Sequence, residues 1–198
     1  PIVAILPGSR KQEIGVMLPI MLKQINNFPD HQFVIAAAPS FDLDYFTPFT
    51  TKYPNLKIIS NRTYDLLQIS EAALVTSGTA TLETALFKVP QIVCYKGSNI
   101  SYQIAKRLIK VDYISLVNLI ANKEVVKELI QADANPELVA QELRRMLDDT
   151  SYRDAIDSGL DQVRHSLESG KGSINMAELI TSLLAQTERR AESSRRGE

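Results

Sequence analysis

Two short turns of small and polar residues are the first candidates for chemistry in this chain. One reads Pro-Gly-Ser-Arg over positions 7–10, and the other reads Ser-Gly-Thr-Ala over positions 77–80. Each follows an apolar segment and leads into a predicted helix. The first amide N–H groups of a helix have no acceptor within it, and the helix dipole adds partial positive charge there. Such turns are typical of phosphate and diphosphate sites, although they can also simply begin two capped helices.

Individual residues of both turns are predicted to contact such an anion. Gly8 and Gly78 lack a Cβ atom, which permits a positive φ and close approach of a ligand. The other predicted contacts are Ser9, Ser77, Thr79 and Ala80. Neither turn matches the GxxxxGK[ST] or GxGxxG patterns, which disfavours the common ATP and nicotinamide enzymes.

Two charged residues are placed to act beside these turns. Arg10 can pair with a diphosphate or stabilise a leaving group, unless it is only a surface arginine. Glu83 follows Thr79 by four residues, one helical turn further on. A carboxylate there can accept both hydroxyls of a ribose, as in dinucleotide-binding folds. Its alternative is a solvated glutamate that favours the N-terminal helix dipole.

Three further residues have less specific surroundings. Tyr95, at the end of a predicted strand, either lines a pocket or packs, and Asn118, in a predicted loop, is either a ligand contact or a turn residue. Cys94 lies in an apolar run and is predicted to be a buried, inert thiol. The single cysteine excludes a disulfide framework and a multi-cysteine zinc site, and two histidines disfavour a histidine-based metal centre. We expect no metal and no cofactor.

Alternating short strands and helices must position these residues. Strands are predicted at 2–6, 32–37, 56–60, 72–76 and 90–95, with a brief extended piece at 113–116. Helices are predicted at 14–25 (kinked at Pro19 or beginning near Leu18), 41–52, 63–70, 79–87, 99–110, 123–131, 136–147, 151–167 and 174–187. This alternation predicts an α/β fold with a Rossmann-like parallel sheet flanked by helices and a helical C-terminal third. We expect one domain over 1–187 and a disordered tail over 188–198.

Composition narrows the class of protein. The chain has 198 residues, of which 44% are hydrophobic and 23% charged, as in ordinary globular proteins. A disordered chain, a coiled coil and a collagen-like fibre are therefore excluded. The formal net charge of -1 disfavours nucleic acid as a partner. No apolar run approaches the ~20 residues of a membrane span. The composition is consistent with a cytoplasmic protein. Because Pro1 directly precedes an apolar strand, we expect the chain to be a piece of a longer protein.

Several segments together resemble the lipid-A-disaccharide synthase family. They are LPGSR at 6–10, SGTATLE at 77–83, AKRL at 105–108, DYISLVN at 112–118, VKELIQ at 126–131 and NPE at 135–137. The resemblance covers about residues 2–147 and implies the C-terminal, donor-binding half of a GT-B glycosyltransferase with two Rossmann-like halves. That family transfers 2,3-diacylglucosamine from its UDP donor to 2,3-diacylglucosamine-1-phosphate (lipid X). The products are the β-1,6 disaccharide of lipid A and UDP.

Roles for residues follow from the resemblance. Ser9 and the amides of 78–80 would hold the diphosphate, Arg10 would help neutralise it without a metal, and Glu83 would bind the ribose. Asn118 sits where the family has an important asparagine, so Arg10 and Asn118 are the expected catalytic residues. Val117 and Lys127 replace prolines of the family pattern. The general base is expected in the acceptor half, without which this chain should bind UDP but catalyse little.

The resemblance also implies partners and leaves alternatives open. A UDP-sugar is the expected donor, and lipid X would bind through the missing half. The basic residues Lys106, Arg107 and Lys110 form either a solvated helix face or a contact with anionic lipid on the cytoplasmic face of the inner membrane. Homodimer formation stays open. The alternative functions are a related GT-B UDP-GlcNAc transferase, a UDP-GlcNAc epimerase half, and a non-catalytic α/β binding module.

Overall fold

A sheet of six parallel strands organises the part of the chain that the computed structural model describes, residues 1–97 and 113–170. The strands are β1 Ile2–Leu6, β2 Gln32–Ala37, β3 Lys57–Ser60, β4 Ala72–Thr76, β5 Gln91–Tyr95 and β6 Lys127–Ile130. The helices are α1 Lys11–Leu22, α2 Thr47–Thr50, α3 Thr63–Gln68, α4 Thr79–Leu86, α5 Leu116–Ala121, α6 Pro136–Asp148 and α7 Thr150–Glu168. The predicted helices at 99–110 and 174–187 and the predicted tail at 188–198 lie outside the described residues.

The strand order is β3-β2-β1-β4-β5-β6, and every neighbouring pair is parallel. Chain progression therefore reverses between β1 and β4, which is the topological switch point of a Rossmann-like sheet. Val3 pairs with Ala72 and Leu6 with Val75, so the two strands end level with each other. This register brings the turns at 7–10 and 77–80 side by side and confirms the predicted fold class.

The strands are apolar because both faces of the sheet are covered. Along β1, Val3 and Ile5 belong to the larger core cluster, whereas Ala4 and Leu6 belong to a smaller cluster on the other face. This alternation follows from the two-residue period of a strand. Helices α1, α6 and α7 supply apolar residues to the larger cluster, and α3 supplies them to the smaller one.

The sixth strand of the sheet lies at Lys127–Ile130, whereas the sequence pattern predicted a last extended piece at 113–116. The predicted helix at 123–131 is wrong, because Lys127–Ile130 forms β6 and pairs with β5 from Ile92 to Tyr95. The extended piece at 113–116 forms no strand; Ser115 caps α5 and accepts a hydrogen bond from the Asn118 amide. Charged, unbranched residues such as Lys127 and Glu128 have helix propensity, but pairing at the sheet edge overrides it.

Two helices also differ from prediction. The single helix expected at 41–52 is a 3-10 turn, Leu43–Phe46, followed by the short α2, with a proline in its first turn. Helix α1 begins at Lys11 and continues through Pro19, whose side chain lies on the exposed side. The start at Lys11 matters for the site, because it places the helix N-terminus immediately after Arg10. The other predicted elements that fall within the described residues agree with the structure to within one or two residues at their ends.

Candidate functional site

A cavity of about 490 Å³ opens where β1 and β4 end, and we call it the switch-point cavity. Its volume is in the range of small-ligand sites. Eight of the residues predicted from sequence line it: Gly8, Ser9, Arg10, Ser77, Gly78, Thr79, Ala80 and Glu83. Residues far apart in the chain therefore meet at one position of the sheet, the position at which such folds bind ligands.

The first turn requires glycine. Gly8 has φ +103°, and a Cβ atom there would lie 2.8 Å from Glu13 Oε2 and 3.5 Å from Thr76 Cγ2. Arg10 is the N-cap of α1 in extended conformation, without a side-chain cap. The backbone thus turns sharply out of β1 and presents the exposed Ser9 and Arg10 at the rim.

The second turn supplies unpaired amides. Thr81 donates its amide and its hydroxyl to the Gly78 carbonyl oxygen, at 3.2 and 2.8 Å. The amides of Gly78, Thr79 and Ala80 have no acceptor within the described residues. Three N–H donors at the start of α4 are therefore free to bind an anion.

Gly78 does not use the positive φ that glycine permits. Its φ of 161° is extended backbone that any residue adopts. A Cβ atom built at Gly78 would meet nothing within 4 Å. The absence of a side chain therefore leaves open space at this turn rather than relieving strain.

The acidic residue one helical turn further on is available for a ligand. Glu83 is half-buried and lines the switch-point cavity. Within the described residues its carboxylate forms neither a hydrogen bond nor an ion pair. A carboxylate that is unpaired at a cavity wall can accept hydrogen bonds from ligand hydroxyl groups.

Two polar groups stand out among the cavity residues that sequence reasoning missed, the Glu13 carboxylate and the Thr76 hydroxyl. Glu13 Oε1 accepts a hydrogen bond from Arg10 Nη1 at 2.8 Å, and Glu13 Oε2 accepts one from the Ser9 amide at 3.4 Å. The Arg10-to-Glu13 spacing of three residues was the available signal. Thr76 also lines the cavity, and its buried Oγ1 has no hydrogen-bond partner in the described residues. Nothing in the sequence separates Thr76 from the rest of its apolar strand.

The two remaining predicted residues do not line the cavity. Tyr95 is half-buried, and its hydroxyl lies against Gly97, 2.5 Å from where a Cβ atom would be. Asn118 is not in a loop; it is fully buried in α5. Its Oδ1 accepts the amides of Val125 and Val126 at 2.8 and 3.0 Å.

The Asn118 amide group is also fully used inside the protein. Its Nδ2 donates to the Val126 carbonyl oxygen at 2.8 Å and to Glu128 Oε1 at 2.9 Å. With both amide protons donated and two amides accepted, this side chain joins α5 to β6. The geometry gives Asn118 a structural role rather than direct contact with a reacting group.

Glu128 extends this network toward the cavity. Its carboxylate accepts the amides of Ile114 and Ser115 at 2.8 and 2.9 Å, and the Ser115 hydroxyl at 2.7 Å. The Ser77 hydroxyl in turn donates to the Ile114 carbonyl oxygen at 3.4 Å. The chain around Ile114 is therefore held between β6 and the rim of the switch-point cavity.

Three further features bear on chemistry away from the cavity: the cysteine, the potential metal ligands and the apolarity of the helices. Cys94 is buried, as predicted, and burial raises its pKa to about 12, which disfavours the reactive thiolate. No group of three potential metal ligands occurs in the described residues. Within the same residues, no helix has the length and apolarity needed to cross a membrane.

Solved structures with a similar fold bind nucleotides or transfer sugars, according to their names. An O-GlcNAc transferase from Thermobaculum terrenum is 15% identical, with a TM-score of 0.62, over 98% of this chain and 37% of that one. The spinosyn rhamnosyltransferase SpnG, complexed with thymidine diphosphate, is 19% identical, with a TM-score of 0.56, over 83% and 41%. The C-terminal CMP-Kdo binding domain of WaaA from Acinetobacter baumannii is 12% identical, with a TM-score of 0.54, over 82% and 88%. The fold and the placement of its cavity define the class of this chain as a Rossmann-like domain.

Sequence relatives identify the family. The model of the lipid-A-disaccharide synthetase family matches residues 1–182. Lipid-A-disaccharide synthases of Geobacter sulfurreducens and Coxiella burnetii are 36% and 37% identical over 190 and 188 residues, each covering 93% of this chain and 50% of the relative. The chain belongs to the lipid-A-disaccharide synthetase family of glycosyltransferases. It spans about half the length of these curated relatives.

Proposed function

We propose that this chain is the donor-binding half of a lipid-A-disaccharide synthase and that the switch-point cavity holds the UDP part of UDP-2,3-diacylglucosamine. The observation that carries the proposal is the meeting of two amide-bearing turns, Arg10 and the unpaired Glu83 around one cavity. A nucleoside diphosphate needs an anion site and an acceptor for ribose hydroxyls, and this cavity offers both.

The charges of the diphosphate are balanced by donors from both turns. The amides of Gly78, Thr79 and Ala80, unpaired within the described residues, lie at the positive end of the α4 dipole, and Ser9 lines the same cavity. Arg10 supplies the full positive charge that a leaving UDP requires during transfer. Gly8 and Ser77 fix the two turns. Glu83 accepts the ribose hydroxyls, and Tyr95, at the end of β5, contacts the donor beyond the cavity.

The proposed transfer also requires an acceptor site, which we assign to another part of the protein that faces this half. There lipid X would be bound and its attacking hydroxyl deprotonated, giving the β-1,6 disaccharide and UDP. In this proposal Asn118 does not contact the donor. Its hydrogen bonds join α5 to β6 and so help to position the cavity. We place the enzyme in the cytoplasm, on the cytoplasmic face of the inner membrane, where an acylated acceptor is accessible. Assembly as a homodimer is compatible with this placement.

Isothermal titration with UDP tests the donor site. We expect the wild-type chain to bind UDP, and Arg10→Ala to weaken binding about tenfold or more, because a charge-assisted hydrogen bond is lost. Arg10→Ala should leave uridine binding unchanged. Glu83→Gln should weaken the binding of UDP and of uridine alike, because both carry the ribose hydroxyls. It should have little effect on the binding of the dideoxy analogue of UDP, which lacks both hydroxyls.

Arg62→Ala is the matched control, since Arg62 also precedes a helix and pairs with an acid three residues on, outside the cavity. It should leave UDP affinity unchanged. A wild-type chain that gives no heat with UDP contradicts the proposal and favours a non-catalytic binding module.

A further inference from the structure

The anion site proposed for the diphosphate already contains an anion. One carboxylate oxygen of Glu13 accepts a hydrogen bond from the Arg10 guanidinium at 2.8 Å, and the other accepts one from the Ser9 amide at 3.4 Å. Its Oε2 also lies 2.8 Å from the position that a Gly8 Cβ would occupy. The carboxylate therefore sits in the curve of the first turn, on the donors that a phosphate would use.

A second helix start shows that this arrangement is more than helix capping. At α3, Arg62 is the N-cap and pairs with Asp65, three residues on, at 2.7 Å. The Asp65 side chain is 59% exposed, lines no part of the cavity, and accepts no amide from the preceding turn. The Glu13 side chain is only 21% exposed and lines the cavity. Favourable dipole electrostatics apply to both acids, but contact with an anion site applies only to Glu13.

We propose that Glu13 occupies the diphosphate position of the empty site and is displaced by the incoming nucleotide, so that this residue sets donor affinity and promotes release of UDP. The inference rests on the proposed function and names a binding determinant within the same site. A carboxylate and a phosphate cannot both accept the Ser9 amide and the Arg10 guanidinium. Donor binding therefore has to break two existing interactions of Glu13 before it makes its own.

Electrostatics give the displaced carboxylate a preference between ligands. Glu13 stays near the diphosphate after displacement, because it is anchored in the first turn of α1. Its charge repels a phosphate more strongly as the phosphate charge rises. UDP carries one more ionisable oxygen on its terminal phosphate than a UDP-sugar does. Glu13 should therefore weaken the binding of UDP more than the binding of the UDP-sugar. This difference favours the exchange of bound product for a new donor.

The opposite role for Glu13 makes the opposite prediction. If the carboxylate served to hold Arg10 in its binding orientation, removal of the carboxylate would leave the guanidinium without a fixed orientation. Nucleotide binding would then become weaker. Displacement predicts tighter binding, because the competing charge is gone and Arg10 is released to the ligand. The sign of the change in UDP affinity therefore separates the two roles.

The experiment compares Glu13→Gln with the wild-type chain by isothermal titration with UDP, UDP-GlcNAc and uridine. We expect UDP to bind about tenfold more tightly to Glu13→Gln, as removal of one repulsive charge at close range predicts. UDP-GlcNAc should gain less, and uridine, which has no phosphate, should not change. Asp65→Asn removes the matched pair at α3 and should leave all three affinities as they are. Thermal unfolding of each variant verifies the fold, and Glu13→Ala, with the same expected direction, provides a second test.

Equal or weaker UDP binding by folded Glu13→Gln and Glu13→Ala overturns the inference while leaving the proposed function standing. Equal gains for UDP and uridine also overturn it, because the effect would not then act on the phosphates. If neither wild type nor variants bind UDP, the proposed function fails and this inference fails with it.

Discussion

Gly8 and Gly78, which both line the switch-point cavity, are suited to their positions for different reasons. Gly8 adopts φ +103°, a backbone conformation that residues with a side chain rarely adopt. The fold itself needs this glycine. Gly78 has extended backbone and empty space around its missing Cβ, so the folded chain would accept a side chain. What Gly78 leaves open is room at the amides of α4, which points to a close approach by the ligand.

Gly78→Ala is therefore predicted to separate binding from stability. We expect a free energy of unfolding within about 1 kcal/mol of wild type, because the added methyl meets no neighbour. UDP affinity should fall about tenfold or more, because the methyl occupies space next to the diphosphate. Urea unfolding and titration with UDP measure the two effects.

Gly15→Ala is the matched control for that substitution. Gly15 is exposed in α1, away from the cavity, and its Cβ would also meet nothing within 4 Å. Alanine there should stabilise the helix by up to about 1 kcal/mol and leave UDP affinity unchanged. Unchanged UDP affinity in Gly78→Ala would show that no ligand comes close to this turn.

The sequence was informative about Arg10 and Glu83 because both follow short motifs whose local geometry is nearly fixed by a turn and a helix start. It was not informative about Glu13, whose contact with the Ser9 amide depends on a side-chain conformation. The sequence left Asn118 open between a ligand contact and a turn residue, and the family resemblance favoured a catalytic role. Its burial could not be predicted, because it depends on β6, which was itself predicted as a helix. Local patterns predict local geometry, whereas burial is decided by the assembled sheet.

The same contrast holds for whole strands and helices. β1 is apolar throughout and β4 is apolar up to Thr76, so the sequence predicts both strands well. β6 reads Lys-Glu-Leu-Ile, and only Leu129 is fully buried. Its pairing with β5 and the hydrogen bonds of Glu128 to the preceding loop hold it in place. Because both interactions are tertiary, no window of the sequence contains the signal for this edge strand.

The link between α5 and β6 yields a prediction about stability. Asn118→Ala removes four hydrogen bonds of a fully buried side chain and leaves the amides of Val125 and Val126 without acceptors. We expect a loss of about 3 kcal/mol in the free energy of unfolding, measured by urea denaturation. The structural role also predicts that folded Asn118→Ala retains UDP binding.

Asn135→Ala is the comparison for this substitution. Asn135 caps α6 with a single hydrogen bond to the Leu138 amide, and its loss should cost about 1 kcal/mol. An Asn118→Ala chain as stable as Asn135→Ala, but with UDP binding abolished, would return Asn118 to the ligand-contacting role first inferred from the sequence.

The proposed function assigns donor binding to this chain and acceptor activation to another part of the protein. The chain spans about half the length of the relatives from Geobacter sulfurreducens and Coxiella burnetii. Its described residues form a six-stranded sheet with a cavity where β1 and β4 end. We therefore expect donor binding and acceptor activation to belong to separate halves.

This division predicts that the chain alone binds UDP but transfers no sugar. Release of UDP from UDP-2,3-diacylglucosamine in the presence of lipid X should be at background for the chain, because the general base and acceptor site are expected elsewhere. The intact polypeptide that carries this sequence should turn over, and Arg10→Ala within it should lower kcat about a hundredfold, as loss of a charge-stabilising group does. Turnover by the chain alone at the rate of the intact polypeptide would show that the catalytic groups lie around the switch-point cavity itself. Glu13 and Glu83 would then be the carboxylates to test as the base.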